Sequence, residues 1–321
     1  MKRTWLILGC ALALGLGLTA CDDGGTDPED SGIGGDDGSM TMEDSGPGPS
    51  TPVVMAFDGT DEVEADLSCR GTATAPTGSG ASTFNAALAN FGGEGLVGGL
   101  EIHYFPNNAP SADVACDAPC VSVTTDAAGM AELMGSADAW FGYRVVAGMG
   151  TTTTGTDAEF VNVIQMNEPA PEDGGMAGLI AVAESLVGGF LGIAGISQDP
   201  MNGAVTGTAV DCQGRPLVNA QVRLFDDSGQ IPFNTDTKAF YFNDAGSLPD
   251  ARATESSQSG LYGVGNVPLP TNNTVQIGVY GTVSEGGSQE LIGCESIVVG
   301  EDTISILNVS PLRSDGPSCG E

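Results

Sequence analysis

The residues best suited to chemistry in this chain are its cysteines. Cys10 and Cys21 fall in the N-terminal segment, and six more follow: Cys69, Cys116, Cys120, Cys212, Cys294 and Cys319. An even number of cysteines in an exported chain predicts disulfide bonds. Cys116 and Cys120 share one Asp/Pro-rich loop and can bridge each other. Zinc is the alternative for this pair, but no second close cysteine pair and no histidine nearby in sequence completes a ligand set. No metal and no other cofactor is therefore predicted.

His103 is the only histidine. It alternates with Ile102 and Tyr104, which predicts a strand position with a structural or exposed role. A general base would need an activated nucleophile beside it. The sequence contains no H-E-x-x-H motif and no G-x-x-x-x-G-K-[ST] phosphate loop. We therefore expect no catalytic residues and a protein that is not an enzyme.

Two aromatic residues, Trp140 and Tyr143, are candidates for binding a ligand. Sugar-binding modules stack pyranose rings on such side chains. The alternative is that Trp140, at the start of a strand, is simply half-buried.

The charge of the chain limits its partners. It carries 42 Asp+Glu against 9 Lys+Arg, for a formal net charge of -33. Such a chain repels nucleic acid and the charged surface of anionic lipids, so neither is predicted as a partner.

The N-terminus has the order of a secretory signal. Lys2 and Arg3 precede an apolar run that ends in Leu18-Thr19-Ala20-Cys21. This tetrad resembles the lipobox of bacterial lipoproteins. The resemblance implies a signal peptide over residues 1–20 and a lipid on Cys21, with an ordinary cleaved signal as the alternative. Acyl chains on Cys21 would hold the protein on a lipid bilayer of the cell envelope, at the outer membrane or cell surface rather than at the inner membrane.

Residues 21–52 are acidic and rich in Gly, Asp and Pro, and they contain few large apolar side chains. Such a segment cannot bury enough apolar surface to offset its chain entropy, which predicts a disordered tether. Calcium binding by the acidic run is the alternative, although the spaced order of an EF-hand loop is missing.

From residue 53 onward, short apolar runs alternate with Gly, Asn, Asp and Pro, which is typical of β-strands. The pattern predicts strands at Val63–Arg70, Thr83–Phe91, Val97–Phe105, Trp140–Ala147, Ala204–Val210, Val218–Phe225, Val275–Gly281, Leu291–Val299 and Thr303–Val309. We predict an all-β fold of two tandem Greek-key β-sandwich domains, over residues 53–170 and 203–313. Residues 171–202 are predicted as an apolar connector with a short helix at 177–191, a membrane-associating segment being the alternative, and residues 314–321 as a tail.

The second half carries a family resemblance. Residues 203–225 read GAVTGTAVDCQGRPLVNAQVRLF, followed by Thr254 and by Gly260-Leu261-Tyr262. This order resembles carboxypeptidase regulatory-like domains, which are close to transthyretin-like folds. The ending, with Leu291-Ile-Gly-Cys-Glu295 and residues 304–313, is similar to lipid-anchored surface proteins of myxobacteria. The resemblance implies a non-enzymatic accessory module, with a turn at Gln213-Gly214. The first half lacks the D-x-x-G-x-P-L run.

Strand order suggests the remaining disulfides. Cys212 ends the first strand of the second domain and Cys294 lies in a late strand. First and late strands can be neighbours in a Greek-key sandwich, so we predict a bridge between Cys212 and Cys294. Elimination then pairs Cys69 with Cys319. A bridge from Cys69 to Cys116 or Cys120, with Cys319 free, is left open.

These features together predict a non-enzymatic, lipid-anchored protein of the cell envelope with a structural, adhesion or interaction role. Its partner would be an unidentified protein or polysaccharide of the envelope. The alternative is a carbohydrate-binding surface module that uses Trp140 and Tyr143.

Overall fold

The computed structural model describes residues 52–113 and 115–320, so the predicted signal peptide, Cys21 and nearly all of the tether lie outside the described residues. The described chain forms one helix, α1 (Glu184–Ile193), and 22 strands. The strands are β1 (Met55–Phe57), β2 (Glu62–Glu64), β3 (Ala81–Asn90), β4 (Val97–Gly98), β5 (Glu101–Phe105), β6 (Val121–Thr124), β7 (Met130–Ser136), β8 (Trp140–Val145), β9 (Gly148–Thr152), β10 (Asp157–Phe160), β11 (Asn162–Pro169), β12 (Met176–Ala181), β13 (Gly203–Thr208), β14 (Leu217–Val218), β15 (Gln221–Asp226), β16 (Gly229–Ile231), β17 (Lys238–Phe242), β18 (Pro249–Asp250), β19 (Leu261–Val267), β20 (Thr274–Thr282), β21 (Gln289–Val298) and β22 (Thr303–Ile306). The predicted all-β class with one short helix is confirmed.

The first sandwich is built from strands β3 to β12. Alternation along β3 turns Phe84, Ala86 and Leu88 into a core that also holds Tyr104 and Leu179. β3 lies between β12 and β7, and this small sheet packs on the β11-β8-β5-β6 end of a nine-stranded sheet. Packing of the two inner faces around this core is what makes the arrangement a sandwich.

The second sandwich packs the sheet β16-β15-β20-β21 on the other end of the nine-stranded sheet. Its core includes Val222 and Leu224 of β15. The Asp-x-x-Gly order of the sequence is explained by a hairpin turn. Asp211 is buried and its carboxylate accepts hydrogen bonds from the N–H groups of Gln213 and Arg215, while Gly214 has φ of 78°.

One continuous sheet joins the two sandwiches. Its strand order is β18-β17-β19-β13-β22-β11-β8-β5-β6, and β22 pairs in parallel with β11 at the junction. The ladder runs from Asn162 opposite Thr303 to Gln165 opposite Ile306. Backbone hydrogen bonds therefore link the two halves of the chain, which the sequence predicts as tandem domains.

The N-terminal strands pair with the second sandwich. β1 lies between β14 and β2, with Met55 opposite both Val218 and Glu64. Met55 and Ala56 thus pair with β14 of the predicted second domain, although the first domain was predicted to begin at residue 53. The strand expected at Val63–Arg70 also ends at Glu64, because the Asp66 carboxylate accepts hydrogen bonds from Ser68 and turns the chain.

The apolar connector is half strand and half helix. Residues 176–181, expected partly as helix, form β12, in which Ala177, Leu179 and Ala181 are buried at period two. α1 follows and packs Leu191 against Phe240 and Phe242. Within residues 52–113 and 115–320, no helix is long and apolar enough to cross a bilayer.

Candidate functional site

Three disulfides join all six cysteines of the described residues. The pairs are Cys69–Cys212, Cys116–Cys120 and Cys294–Cys319, with Cα–Cα distances of 5.8, 5.2 and 5.8 Å. The bridge within the Asp/Pro-rich loop is the one predicted. The other two predicted pairs, Cys212–Cys294 and Cys69–Cys319, are wrong.

The wrong pairs have a topological cause. Cys212 follows β13, which lies inside the nine-stranded sheet, whereas Cys294 lies in β21, at the edge of the opposite sheet. Cys294 faces away from the second core and packs with Cys319, Phe225 and Leu291. The turn at Cys212 instead meets the segment after β2, where its N–H donates to the Asp66 carbonyl at 2.9 Å.

The disulfide with the shortest sequence separation, Cys116–Cys120, lies beside His103. This histidine is in the middle of β5, on the face turned away from the first core, and is 3% exposed. Its cross-strand neighbours are Ser122 in β6 and Arg144 in β8. One ring nitrogen of His103 and the sulfurs of Cys116 and Cys120 lie within 4.8 Å of one another. We name these three residues, with Glu101 and Ser122, the histidine–cysteine cluster.

Hydrogen bonds fix the orientation of the His103 ring. Its Nε2 lies 3.0 Å from Glu101 Oε1, and the Ser122 hydroxyl donates to the same oxygen at 2.6 Å. These two hydrogen bonds, first that of Ser122 and then that of His103, lower the pKa of Glu101. A carboxylate only accepts hydrogen bonds, so Nε2 donates to Glu101, and in the neutral ring the lone pair is then on Nδ1. Nδ1 is buried and has no hydrogen-bond partner among the described residues.

Arg144 holds the cysteine-bearing loop over the sheet. Arg144 is 1% exposed, and its guanidinium donates hydrogen bonds to the backbone carbonyls of Ala112 and Asp113. Sequence reasoning missed this cluster because His103 lies on a strand and the two cysteines lie in the following loop. Only the return of that loop over β5 brings them together.

The two aromatic candidates do not form a stacking surface. Tyr143 is fully buried; its hydroxyl donates to Gln165 and accepts from the Ile180 N–H at 2.7 Å. Burial raises the pKa of Tyr143 well above its usual value. The half-buried Trp140 ring is covered by the Arg313 guanidinium, 4.5 Å from the ring centroid. Burial therefore removes Tyr143 from any stacking surface, and Arg313 occupies one face of the Trp140 ring.

Two further features do not add a catalytic group. An apolar cavity of about 250 Å³ lies between α1 and the nine-stranded sheet, with Phe190, Phe242 and Ile306 in its wall. The pentapeptide Gly316–Gly320 has G-x-S-x-G spacing. It lies in the tail, where its Cys319 is bridged to Cys294, and not between a strand and a helix as a nucleophile elbow does.

Comparison with known proteins gives structural matches alone. No known protein family and no curated protein matches the chain. The shaft pilin SpaA of Lactobacillus rhamnosus GG is 11% identical to this chain. The match covers 72% of this chain and 98% of the pilin, with a TM-score of 0.21. A minor pilin of Streptococcus agalactiae is 11% identical over 75% of this chain and 99% of its own, with a TM-score of 0.21. The resemblance to carboxypeptidase regulatory-like domains stays a prediction.

Proposed function

We propose that this protein is a non-enzymatic component of the bacterial cell envelope, anchored by lipid on Cys21, in which a disulfide-braced β unit serves a structural or interaction role. The observation that carries the proposal is that every cysteine of the described residues is paired. Disulfides form and persist in oxidising compartments outside the bacterial cytoplasm. Pairing therefore agrees with the signal peptide expected at residues 1–20.

The architecture suits a scaffold that presents surface. The nine-stranded sheet spans both sandwiches, and at about 4.8 Å per strand its width is about 40 Å. The acidic segment before residue 53 would place this unit away from the membrane, with Cys21 as the anchor. The carbohydrate-binding alternative depended on Trp140 and Tyr143, but Tyr143 is buried and Arg313 covers one face of Trp140.

Metabolic labelling tests the anchor. The full chain and its Cys21→Ala variant would be expressed in a bacterium grown with a palmitate analogue, then fractionated. We expect label and membrane association for the parent chain and loss of both for Cys21→Ala. Cys10→Ala is the matched control, because Cys10 lies in the signal and should leave both unchanged. Equal labelling of the parent and Cys21→Ala chains would refute the anchor.

The surface role needs a second measurement. Protease added to intact cells should cleave the protein if it faces the medium, and crosslinking followed by pull-down from intact envelope should retain a protein or polysaccharide partner. Hydrolytic turnover that co-purifies with the chain and disappears in His103→Ala would overturn the non-enzymatic assignment.

A further inference from the structure

The histidine–cysteine cluster combines side chains that bind metals with one histidine nitrogen, Nδ1, that has no hydrogen-bond partner among the described residues. Buried nitrogen acceptors normally find a donor, yet His103 Nδ1 has none among the described residues. The opposite nitrogen, Nε2, is held by the Glu101 carboxylate at 3.0 Å. Metal-binding histidines commonly have this arrangement, in which a carboxylate takes the proton of one nitrogen and the other nitrogen faces the ion.

Two sulfurs supply the other protein ligands. Cys116 and Cys120 place both Sγ atoms within 4.8 Å of a His103 ring nitrogen. Zinc bound at about 2.3 Å by two thiolates in tetrahedral geometry keeps the sulfurs about 3.8 Å apart. The sulfurs are bonded to each other in the structure, so the site requires that this one disulfide be reduced.

We propose that reduction of the Cys116–Cys120 disulfide creates a zinc site, with Cys116 Sγ, Cys120 Sγ and His103 Nδ1 as ligands and a water in the fourth position. A dithiol reductant supplies the two electrons and two protons that turn the disulfide into two thiols, and it becomes a disulfide itself. Binding of Zn²⁺ then releases both thiol protons to solvent. Two thiolates balance the charge of the ion, and oxidation of the pair closes the site.

Exposure favours opening of this bridge over opening of Cys294–Cys319, whereas Cys69 and Cys212 are also half-buried and are distinguished by the graded reduction below. Cys116 and Cys120 are half-buried and close the shortest loop, with a sequence separation of 4. Cys294 and Cys319 are 1% and 2% exposed. Reduction leaves the supports of the site in place, because Arg144 still holds the loop at Ala112 and Asp113.

Cobalt titration of the full chain in detergent tests the site, since Co²⁺ reports thiolate ligation by sulfur-to-metal charge-transfer absorption. Graded reduction would be followed by alkylation and peptide mass spectrometry, to identify the stage at which Cys116 and Cys120 alone are free. We expect one Co²⁺ per reduced chain, displaced by Zn²⁺, and none in the oxidised chain. Cys116→Ser/Cys120→Ser should bind none.

The Glu101→Gln variant distinguishes Co²⁺ binding at this site from Co²⁺ binding elsewhere on the chain. Glu101 is on the surface, so its loss should not unfold the chain, but the His103 ring loses its carboxylate and we expect about 10–100-fold weaker Co²⁺ binding. Zinc should also protect Cys116 and Cys120 from alkylation. Four results would overturn the proposal: no Co²⁺ bound by the reduced chain, unchanged affinity in Glu101→Gln, protection of other cysteines instead, or a Cys116–Cys120 bond that survives until circular dichroism shows unfolding.

Discussion

The Cys69–Cys212 bridge should stabilise the fold far more than the Cys116–Cys120 bridge does. The first closes a loop with a sequence separation of 143 and the second a loop of 4. In the chain-entropy treatment, a cross-link removes unfolded-state entropy that grows with the logarithm of loop length. The two bridges then contribute about 5 and about 2 kcal/mol at 25 °C. We expect Cys69→Ala/Cys212→Ala to lose about 3 kcal/mol more unfolding free energy than Cys116→Ala/Cys120→Ala.

Guanidinium denaturation without reductant measures this difference. Both double variants remove two half-buried cysteines and one bridge, so each is the matched control of the other. Midpoint and slope should be compared together, because a change in slope reports a different unfolded state. Equal losses in the two variants, or a larger loss at Cys116 and Cys120, would refute the reasoning.

Two substitutions, the second with a matched control, test other parts of the fold. Burial raises the pKa of Glu168 from 4.5 to about 7, so the folded state binds its proton more tightly and loses stability as pH rises between those values. The Glu168→Gln side chain cannot titrate, so the variant should gain up to about 3 kcal/mol of unfolding free energy over the parent chain at about pH 8 and nothing near pH 4.5. Solvent access to the carboxyl group would reduce this gain. Parallel pH profiles of urea unfolding for the two chains would contradict the prediction. A Cβ on Gly207 would collide with the Leu307 carbonyl oxygen, so Gly207→Ala should cost about 3 kcal/mol or more. The control is Gly178→Ala, where the added methyl group has open space and should change stability by less than about 0.5 kcal/mol. Equal losses of thermal stability in the two variants would show that the close approach at Gly207 does not limit side-chain size there.

The sequence predicted some of the strands, such as β3, because burial and alternation are local properties, but β7, β11, β17 and β19 were not predicted. Phe84, Ala86 and Leu88 repeat at period two, and β3 forms where that pattern lies. The same local logic failed in the connector, where Ala177, Leu179 and Ala181 alternate but stand in a Gly- and Ala-rich run that also fits a helix. This segment forms a strand because it pairs in parallel with β3, and that contact cannot be inferred from the sequence of the connector alone.

Contacts between distant segments were not predictable from local pattern. Periodicity indicated that Cys212 and Cys294 end or occupy strands, but not that those strands belong to opposite sheets. The position of His103 beneath the Cys116–Cys120 loop is of the same kind, since it depends on Arg144 drawing that loop over β5. The one bridge predicted correctly joins residues that are four positions apart, where the chain has little freedom to separate them.

The disulfides also decide which parts of the chain would bear mechanical tension. If the protein were pulled between residues 52 and 320, force would pass along the chain to Cys69, cross to Cys212, continue to Cys294 and cross again to Cys319. Residues 70–211, which include strands β3 to β13, would lie on an unloaded branch. The first sandwich could therefore stay folded, with its histidine–cysteine cluster intact, while the covalent path through the second sandwich carried the load.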